Sequence, residues 1–357
     1  MRLRHRINYW NSSLRLKLFR QRFELAGLRS GRYPPPSYVL WDCTRRCNLN
    51  CLHCGASKEH YDNELSTVQV KGFIDQLARL RVRTFAVTGG EPLLRKDLIE
   101  LLTHASRLGI KTGVATNGFI LDENKARELK AAGVSSIQIS LDGDADTHNH
   151  IRQNPHAFDR AVQALRYCRK AGIQLLTVST VVTGMNQDKL EHIKQLLLDE
   201  GINQWKIIPL MPIGRAEKSN LQIDKPALKQ LLEFISQARR QIPILLGENL
   251  TYLGRDEARY RTKVTYCPVG ISACCLGTDG KIRGCPEMPD DPRFIEGSIL
   301  EQSFDEIWQK GFKPYRNQSL REQDPLCGAC SLWDKCRGGC WVMRLGEAHC
   351  IKNWRVE

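Results

Sequence analysis

The chain has 357 residues, 41% of them hydrophobic, which suffices for one large domain or two ordinary ones with a genuine core. No apolar run approaches the roughly eighteen residues of a membrane helix, and the Arg-rich start lacks a signal peptide's apolar centre. A membrane span and a secretory leader are therefore excluded from the expectation, a reducing cytoplasm is expected, and fourteen cysteines there point to metal or redox chemistry rather than disulfides.

The net charge of +14 is uneven: residues 1–33 hold nine Lys and Arg against one Glu, supplying +8. Such a surface attracts nucleic acid, acidic lipid or an acidic peptide and alone selects none of them. In chain order, residues 1–37 form this basic prelude. Ser12 or Ser13 is placed to cap a helix running to about Leu28. Leu14, Leu18 and Leu25 fall at helical spacing, with Leu16, Phe19 and Phe23 on an adjoining strip. The plain expectation is a helix packed on the main domain with its arginines in water; the alternative is a docking surface for a partner peptide. Pro34-Pro35-Pro36 then stiffens a linker.

From residue 38 short apolar runs alternate with helical segments. Strands are predicted at 38–43, 84–88, 111–116, 136–141, 174–182 and 204–209, and helices near 66–81, 96–108, 122–132, 157–171 and 187–199. Six such repeats make a parallel α/β sheet with covered faces, whose functional groups gather at the C-terminal strand ends. Residues 216–265 read as a bridge, with a helix at about 225–240 and a short strand at 243–246. From Tyr266 the elements become short and rich in Gly, Pro and Cys. Nine of the fourteen cysteines lie there, four lie between Cys43 and Cys54, and Cys168 stands alone between, so two metal-bearing regions on a metal-free scaffold are expected.

The first strand runs into Cys47-Asn48-Leu49-Asn50-Cys51-Leu52-His53-Cys54. Three thiols in C-x3-C-x2-C spacing suit one metal centre, and soft sulfur favours an iron–sulfur cluster, zinc or copper(I). A four-iron cluster takes four thiolates, so three leave one iron open to a small molecule. Zinc motifs pair two short Cys or Cys/His units, and no second half lies nearby. The spacing, with His53 before the third cysteine, resembles the signature of radical S-adenosylmethionine (SAM) enzymes. That resemblance implies a partial (β/α)6 TIM-like barrel over 38–215, a [4Fe-4S] cluster on Cys47, Cys51 and Cys54, and SAM bound to the open iron.

Other strand ends carry the same resemblance. Gly89-Gly90-Glu91, after the second strand, is similar to the family's GGE motif, which contacts the SAM amine. Ser140-Leu141-Asp142-Gly143 resembles an S-L-D-G sequence near the ribose and methionyl part. Arg152 resembles an arginine that binds the SAM carboxylate; its plain alternative is a surface pairing with Asp144 or Asp146. Pro212-Ile213-Gly214-Arg215 looks like the family's turn beside adenine, while Thr116, Asn117, Thr180 and Asn186 are weaker candidates for SAM contacts.

After residue 266, Cys267-x2-Gly270 and Gly280-x4-Cys285 precede Cys327-x2-Cys330-x5-Cys336-x3-Cys340 and Cys350, with a hairpin signal at Thr278-Asp279-Gly280. This pattern resembles the SPASM extension, a small Cys-rich domain placed here over 266–357. The resemblance implies two auxiliary [4Fe-4S] clusters. Cys327, Cys330, Cys336 and Cys350 would hold one. Cys267, Cys285 and Cys340 would hold the other, with Cys274 or Cys275 as fourth ligand or an iron left open. Zinc on Cys327, Cys330, Cys336 and Cys340 is the alternative. Cys43 and Cys168 read as core residues. Relatives that oxidise a sulfatase residue carry an aspartate directly after the cysteine aligned with Cys285; here Pro286 and Glu287 follow, which speaks against sulfatase maturation and leaves Glu287 as a candidate substrate base.

Together these resemblances imply an oxidoreductase or maturase that takes an electron from a donor such as flavodoxin or ferredoxin and cleaves SAM to a 5′-deoxyadenosyl radical. The expected target is a peptide or protein side chain, modified by crosslinking, epimerisation or oxidation. A haem-type tetrapyrrole precursor is the alternative. A non-catalytic iron–sulfur carrier is the reading from another class, but it would need neither Gly89-Gly90-Glu91 nor Ser140-Leu141-Asp142-Gly143 at those strand ends. No nucleic-acid partner is expected, because aromatics are only 7% and the basic excess precedes the Pro run.

Overall fold

Each apolar strand of the repeat buries one face against an amphipathic helix, and ten strands join into one sheet. The computed structural model describes residues 2–55, 63–247, 249–250, 252–254, 257–263, 266–316 and 325–345. In chain order the elements are α1 (Arg2–Ser30), β1 (Tyr38–Asp42), α2 (Thr67–Arg79), β2 (Thr84–Thr88), α3 (Leu98–Arg107), β3 (Lys111–Thr116), α4 (Glu123–Ala131), β4 (Val134–Ser140), α5 (Ala145–Arg152), α6 (Ala157–Lys170), β5 (Leu175–Val182) and α7 (Leu190–Asp199). There follow β6 (Gln204–Pro209), α8 (Lys225–Ala238), β7 (Ile244–Leu246), α9 (Glu257–Tyr260), β8 (Ala273–Leu276), β9 (Lys281–Arg283), β10 (Ile295–Ser298), α10 (Phe304–Lys310) and α11 (Lys313–Arg316).

The strand order is β10-β9-β8-β1-β2-β3-β4-β5-β6-β7. Strands β1 to β7 run parallel in sequence order. All six predicted strands are present, and the expected short strand in the 216–265 stretch is β7, which lengthens the sheet beyond β6. The Cys-rich region does not begin with a sheet of its own. Its strand β8 pairs parallel to β1, Tyr38 against Ala273 through Trp41 against Leu276, and β9 returns antiparallel through the predicted turn at Thr278-Asp279-Gly280. One sheet therefore holds strands from both the barrel and the Cys-rich region.

The helices bury the faces their periods predict. On α2, Val70, Phe73, Ile74 and Leu77 are buried, and Ser66 with Gln69 forms a capping box at its start. Phe73 lies 6.5 Å from Phe85 of β2 and 5.2 Å from Phe304 of α10, ring centre to ring centre, so one core runs from the barrel into the C-terminal region. Gly133 and Gly172 close helix ends at positive φ, 83° and 76°, as expected.

Two readings are corrected. Helix α5 was not foreseen, because Ala145–Arg152 is almost wholly polar and shows no apolar period; the Asp144 side chain starts it by accepting from the Thr147 N–H. Helix α1 starts at Arg2, so Ser12 is internal and donates to the Tyr9 carbonyl rather than capping an end. Its packing is also the reverse of the leucine pattern: Phe23 is buried, stacked on Tyr33 at 5.0 Å, whereas Leu14, Leu18 and Leu25 are exposed.

Candidate active site

The Cys47–Cys54 loop leaves the C-terminal end of β1 and is held by backbone on three sides. The Leu52 N–H donates to Ile151 O of α5 at 2.9 Å, Arg215 N–H to Cys54 O at 3.0 Å, and Glu91 N–H to Arg46 O at 2.8 Å. Two glycines make the last approach feasible. A Cβ on Gly90 would stand 2.2 Å from Arg46 O, and one on Gly89 2.6 Å from Thr44 O. Gly214, at φ +56°, fits the other end of the loop in the same way, its Cβ position 2.5 Å from Gly55 O. These glycines thus seat the cysteine loop itself.

The polar side chains of the strand ends mostly serve the protein. Glu91 is fully buried, and its carboxylate accepts from Thr116 Oγ1 at 2.7 Å, Asn117 N–H at 2.8 Å and Leu93 N–H at 3.1 Å, tying the end of β2 to that of β3. Burial raises its pKa against the lowering pull of these donors. Asn117 reaches back to Asn48 Oδ1 at 2.8 Å, with its Nδ2 4.0 Å from Cys47 Sγ. Thr180 donates to Leu141 O and accepts from Trp205 Nε1, so it braces β4 against β6 away from the cavity, and Asn186 holds the Asp142 carbonyl at 2.7 Å.

Asp142 is the hub of the site. Its Oδ2 accepts from Arg152 Nε at 2.8 Å and Nη2 at 2.6 Å and lies 3.0 Å from His53 Nε2, while Oδ1 accepts from Val181 N–H at 2.9 Å. Burial opposes the charge, but Arg152 and then His53 outweigh it and hold the carboxyl far below the usual carboxylate range. Arg152 therefore pairs with Asp142, not with Asp144 or Asp146, and its Nη1 points at Cys51 Sγ, 3.6 Å away. His148 accepts the Asp142 N–H on Nδ1; burial, then Arg152, lowers its pKa to about 3.

Cys47, Cys51, Cys54, Arg152 and Arg215 line one cavity of about 210 Å³, whose other walls include the backbone of Gly89 and Gly90 and the side of Ser140. Gln138 and Arg45 also face it and were missed. The signal was available: Gln138 and Ser140 alternate with buried Ile137 and Ile139 in a parallel strand, where both faces are normally apolar. The donor set fits an iron–sulfur cluster with an anionic ligand. Three thiols share the cavity, and Arg215 Nη1, buried beside it, finds no acceptor among the described residues. Among the described residues no three Cys, His, Asp or Glu side chains converge tightly enough for a single metal ion. A four-iron cluster takes one thiolate per iron and accommodates a wider spread.

Of the C-terminal cysteines, Cys285 feels both Cys267 and Cys340, which with Glu287 and above all burial push its thiol pKa up. Strand alternation separates the Cys274–Cys275 pair. Cys275 adjoins Cys285 and Asp42, whereas Cys274 lies toward Arg316 and Glu296 in the core. Cys327, Cys330 and Cys336 are half-buried on two short turns, with Arg344 Nη1 3.7 Å from Cys327 Sγ; Cys350 lies outside the described residues. Cys43 and Cys168 are core residues. Glu287 reaches the end of the cysteine loop, its Oε2 2.7 Å from where a Cβ on Gly55 would stand, and burial raises its pKa.

The Radical SAM superfamily profile matches residues 41–197. The chain is 28% identical over 322 residues to the AdoMet-dependent heme synthase of Methanosarcina barkeri, covering 85% of this chain and 90% of that one. It is 30% identical over 332 residues to the mycofactocin maturase MftC of Mycolicibacterium smegmatis, covering 89% and 83%. Among solved structures, SuiB of Streptococcus suis bound to S-adenosylmethionine superposes with a TM-score of 0.74 at 16% identity, over 94% of this chain and 79% of that one. SuiB bound to its precursor peptide SuiA gives 0.74 at 18%, over 92% and 77%. A barrel of parallel strands with a three-cysteine loop at its mouth defines a SAM-dependent iron–sulfur enzyme. The chain belongs to the radical SAM superfamily, in its SPASM type.

Proposed function

We propose that this enzyme modifies a side chain of a peptide or protein substrate by crosslinking, epimerisation or oxidation. The observation that carries the reading is Glu287, whose Oε2 lies 2.7 Å from where a Cβ on Gly55 would stand, one residue past the loop of Cys47, Cys51 and Cys54, with Cys285 as its neighbour. A substrate side chain held there would meet a hydrogen-abstracting centre on the loop and a carboxylate on Glu287. MftC is named a maturase, and SuiB is known with a precursor peptide bound, which supports a peptide.

Cys47, Cys51 and Cys54 would hold the SAM-binding [4Fe-4S] cluster. When bound, cluster and SAM supply reductive cleavage of SAM to methionine and a 5′-deoxyadenosyl radical. Asp142 and His53 orient Arg152 toward Cys51, and the Gly89–Gly90 backbone shapes the wall on which the methionyl part would rest. Asn117, Ser140, Gly214 and Arg215 would contact the rest of SAM, with Glu91 and Thr116 bracing them from behind and Thr180 acting at second remove. Glu287 accepts the proton released as a substrate radical is oxidised, a role its raised pKa suits. Cys267, Cys285, Cys340 and, on the side it faces, Cys275 would hold one auxiliary cluster; Cys327, Cys330, Cys336 and Cys350 the other. The working units would be 38–215 for the barrel and 266–357 for the cap, joined by 216–265 and preceded by 1–37. An external flavodoxin or ferredoxin would deliver the electron. A cytoplasmic location is the compartment in which cysteines spaced for metal ligation stay reduced.

Anaerobic reconstitution should give about twelve irons per chain, four per cluster; about four would remove the auxiliary pair. Reduced enzyme with SAM should release 5′-deoxyadenosine, and Cys51→Ala should abolish this. The peptide reading is tested by mass spectrometry of a short peptide encoded beside this gene, co-expressed with the chain. The second reading, a haem-type tetrapyrrole substrate, is favoured by the similarity to the heme synthase. An unchanged peptide together with loss of carbon dioxide from a propionate-bearing tetrapyrrole would replace the first reading by the second.

A further inference from the structure

Helix α1 has two opposed apolar faces, and only one is used. The inner face carries Phe23, 2% exposed and stacked on Tyr33; Arg20, 5.7 Å from the Tyr266 ring; and Tyr9, hydrogen-bonded to Glu257 of α9. The outer face carries Leu14, Leu18, Leu25 and Leu28, which are 59%, 45%, 45% and 82% exposed. Of the thirteen large apolar side chains exposed among the described residues, five lie on this helix, these four and Phe19; the others are scattered.

The spacing of the four leucines is specific. With Gln21 they step 4-3-4-3, the seam of a coiled coil, in which Leu18 and Leu25 occupy a positions and Leu14, Gln21 and Leu28 occupy d positions. The flanking e positions are then Arg15, Arg22 and Arg29, and the g positions are Lys17 and Glu24. Glu24 is taken up by Arg20 at 2.8 Å. Arg15, Lys17, Arg22 and Arg29 form no ion pair among the described residues. A narrow a/d stripe is what a second helix covers, whereas a membrane-lying helix presents a wider apolar face. A second copy of α1 is disfavoured in either direction. A parallel pair would set Lys17 against Arg22, and an antiparallel pair would set Arg15 against Arg29.

We propose that the outer face of α1 docks an amphipathic helix of a partner polypeptide, with apolar residues at 4-3 spacing and Asp or Glu on the flanking positions. The opposite face of the helix rests on Tyr266, and none of the four leucines lines the cavity of the cysteine loop, so the outer face anchors a partner rather than a reacting group. This stands whichever substrate the barrel takes.

The test uses the full iron-loaded chain and two synthetic three-heptad peptides with leucine at the core positions, one with Glu and one with Lys at the flanks. Fluorescence anisotropy should show the Glu peptide binding and the Lys peptide not. Leu18→Glu with Leu25→Glu should weaken the Glu peptide at least tenfold. Arg22→Glu with Arg29→Glu should exchange the preference to the Lys peptide. Release of 5′-deoxyadenosine should stay unchanged in both variants, which reports their folding; its absence in the wild type would strike the proposed function and leave the docking result readable by circular dichroism. The proposal is overturned if neither peptide saturates, or if both bind alike. It is also overturned if phosphatidylglycerol vesicles bind the chain without competition from the Glu peptide, or if sedimentation shows a dimer that Leu18→Glu dissolves.

Discussion

The two cysteine-bearing regions are built on different physical terms. The loop of Cys47, Cys51 and Cys54 is clamped by backbone hydrogen bonds from Ile151, Arg215 and Glu91, and its charged neighbours Asp142 and Arg152 are buried and fully paired. Around Cys327, Cys330 and Cys336 the chain has short turns instead, Cys330 N–H on Cys327 O at 3.2 Å and Cys336 N–H on Leu332 O at 2.9 Å, with no strand among the described residues of 325–345. The first region is preorganised by the barrel and receives its cofactor. The second is closed by short turns and a few buried side chains such as Trp333 and Val342, so a cluster on its thiolates would add directly to its folding energy.

Removing iron should separate the two most sharply. Hydrogen exchange after chelation should show 325–345 nearly unprotected while β1 to β6 keep their protection; equal loosening of both would break the contrast. Next in size is Arg152→Gln, which leaves the buried Asp142 carboxylate without its cation and should cost about 3–5 kcal/mol in denaturant unfolding. The half-buried Arg344 near Cys327 should cost about 1 kcal/mol or less when changed to Gln. Gly90→Ala should cost about 1–3 kcal/mol, because its Cβ meets backbone at Arg46 O that cannot yield. Reconstituted Gly90→Ala should also lose about a third of its iron, the share of one cluster in three; full loading would mean the loop is less rigid than described. The last effect is on pH and vanishes near neutrality. His148 has a folded pKa of about 3, below its unfolded value of 6.5, so its share of stability is complete above about pH 6.5 and is lost as pH falls toward 3. The slope contributed should approach about 1.4 kcal/mol per pH unit, and His148→Gln, which keeps an acceptor for the Asp142 N–H, should remove it.

Much of the site was legible because its chemistry is local. The cysteine spacing lies on one loop, and Gly89-Gly90-Glu91 and Asp142 sit at ends of strands whose period is plain in the sequence. The partners of those residues were not legible. Gly89 and Gly90 look like ligand-approach glycines in isolation, but they accommodate the backbone of Thr44 and Arg46. Arg152 lies on α5, a polar helix with no period to announce it, and its choice of Asp142 over Asp144 depends on how that helix end turns. Strand alternation shows that Cys274 and Cys275 face opposite ways, but not which side faces Cys285; that depends on β8 pairing with β1.

The sequence by itself determined the parallel α/β order, the edge where the chemistry lies and the family, because periodicity and short-range spacing are properties of neighbouring residues. Tertiary structure alone decided three things: that the Cys-rich region continues the barrel's own sheet, that Asp142 and Arg152 brace Cys51, and that α1 turns its leucines to solvent. Each depends on which of several compatible surfaces meet, and that is set by the closure of the whole sheet and the packing of residues far apart in the chain.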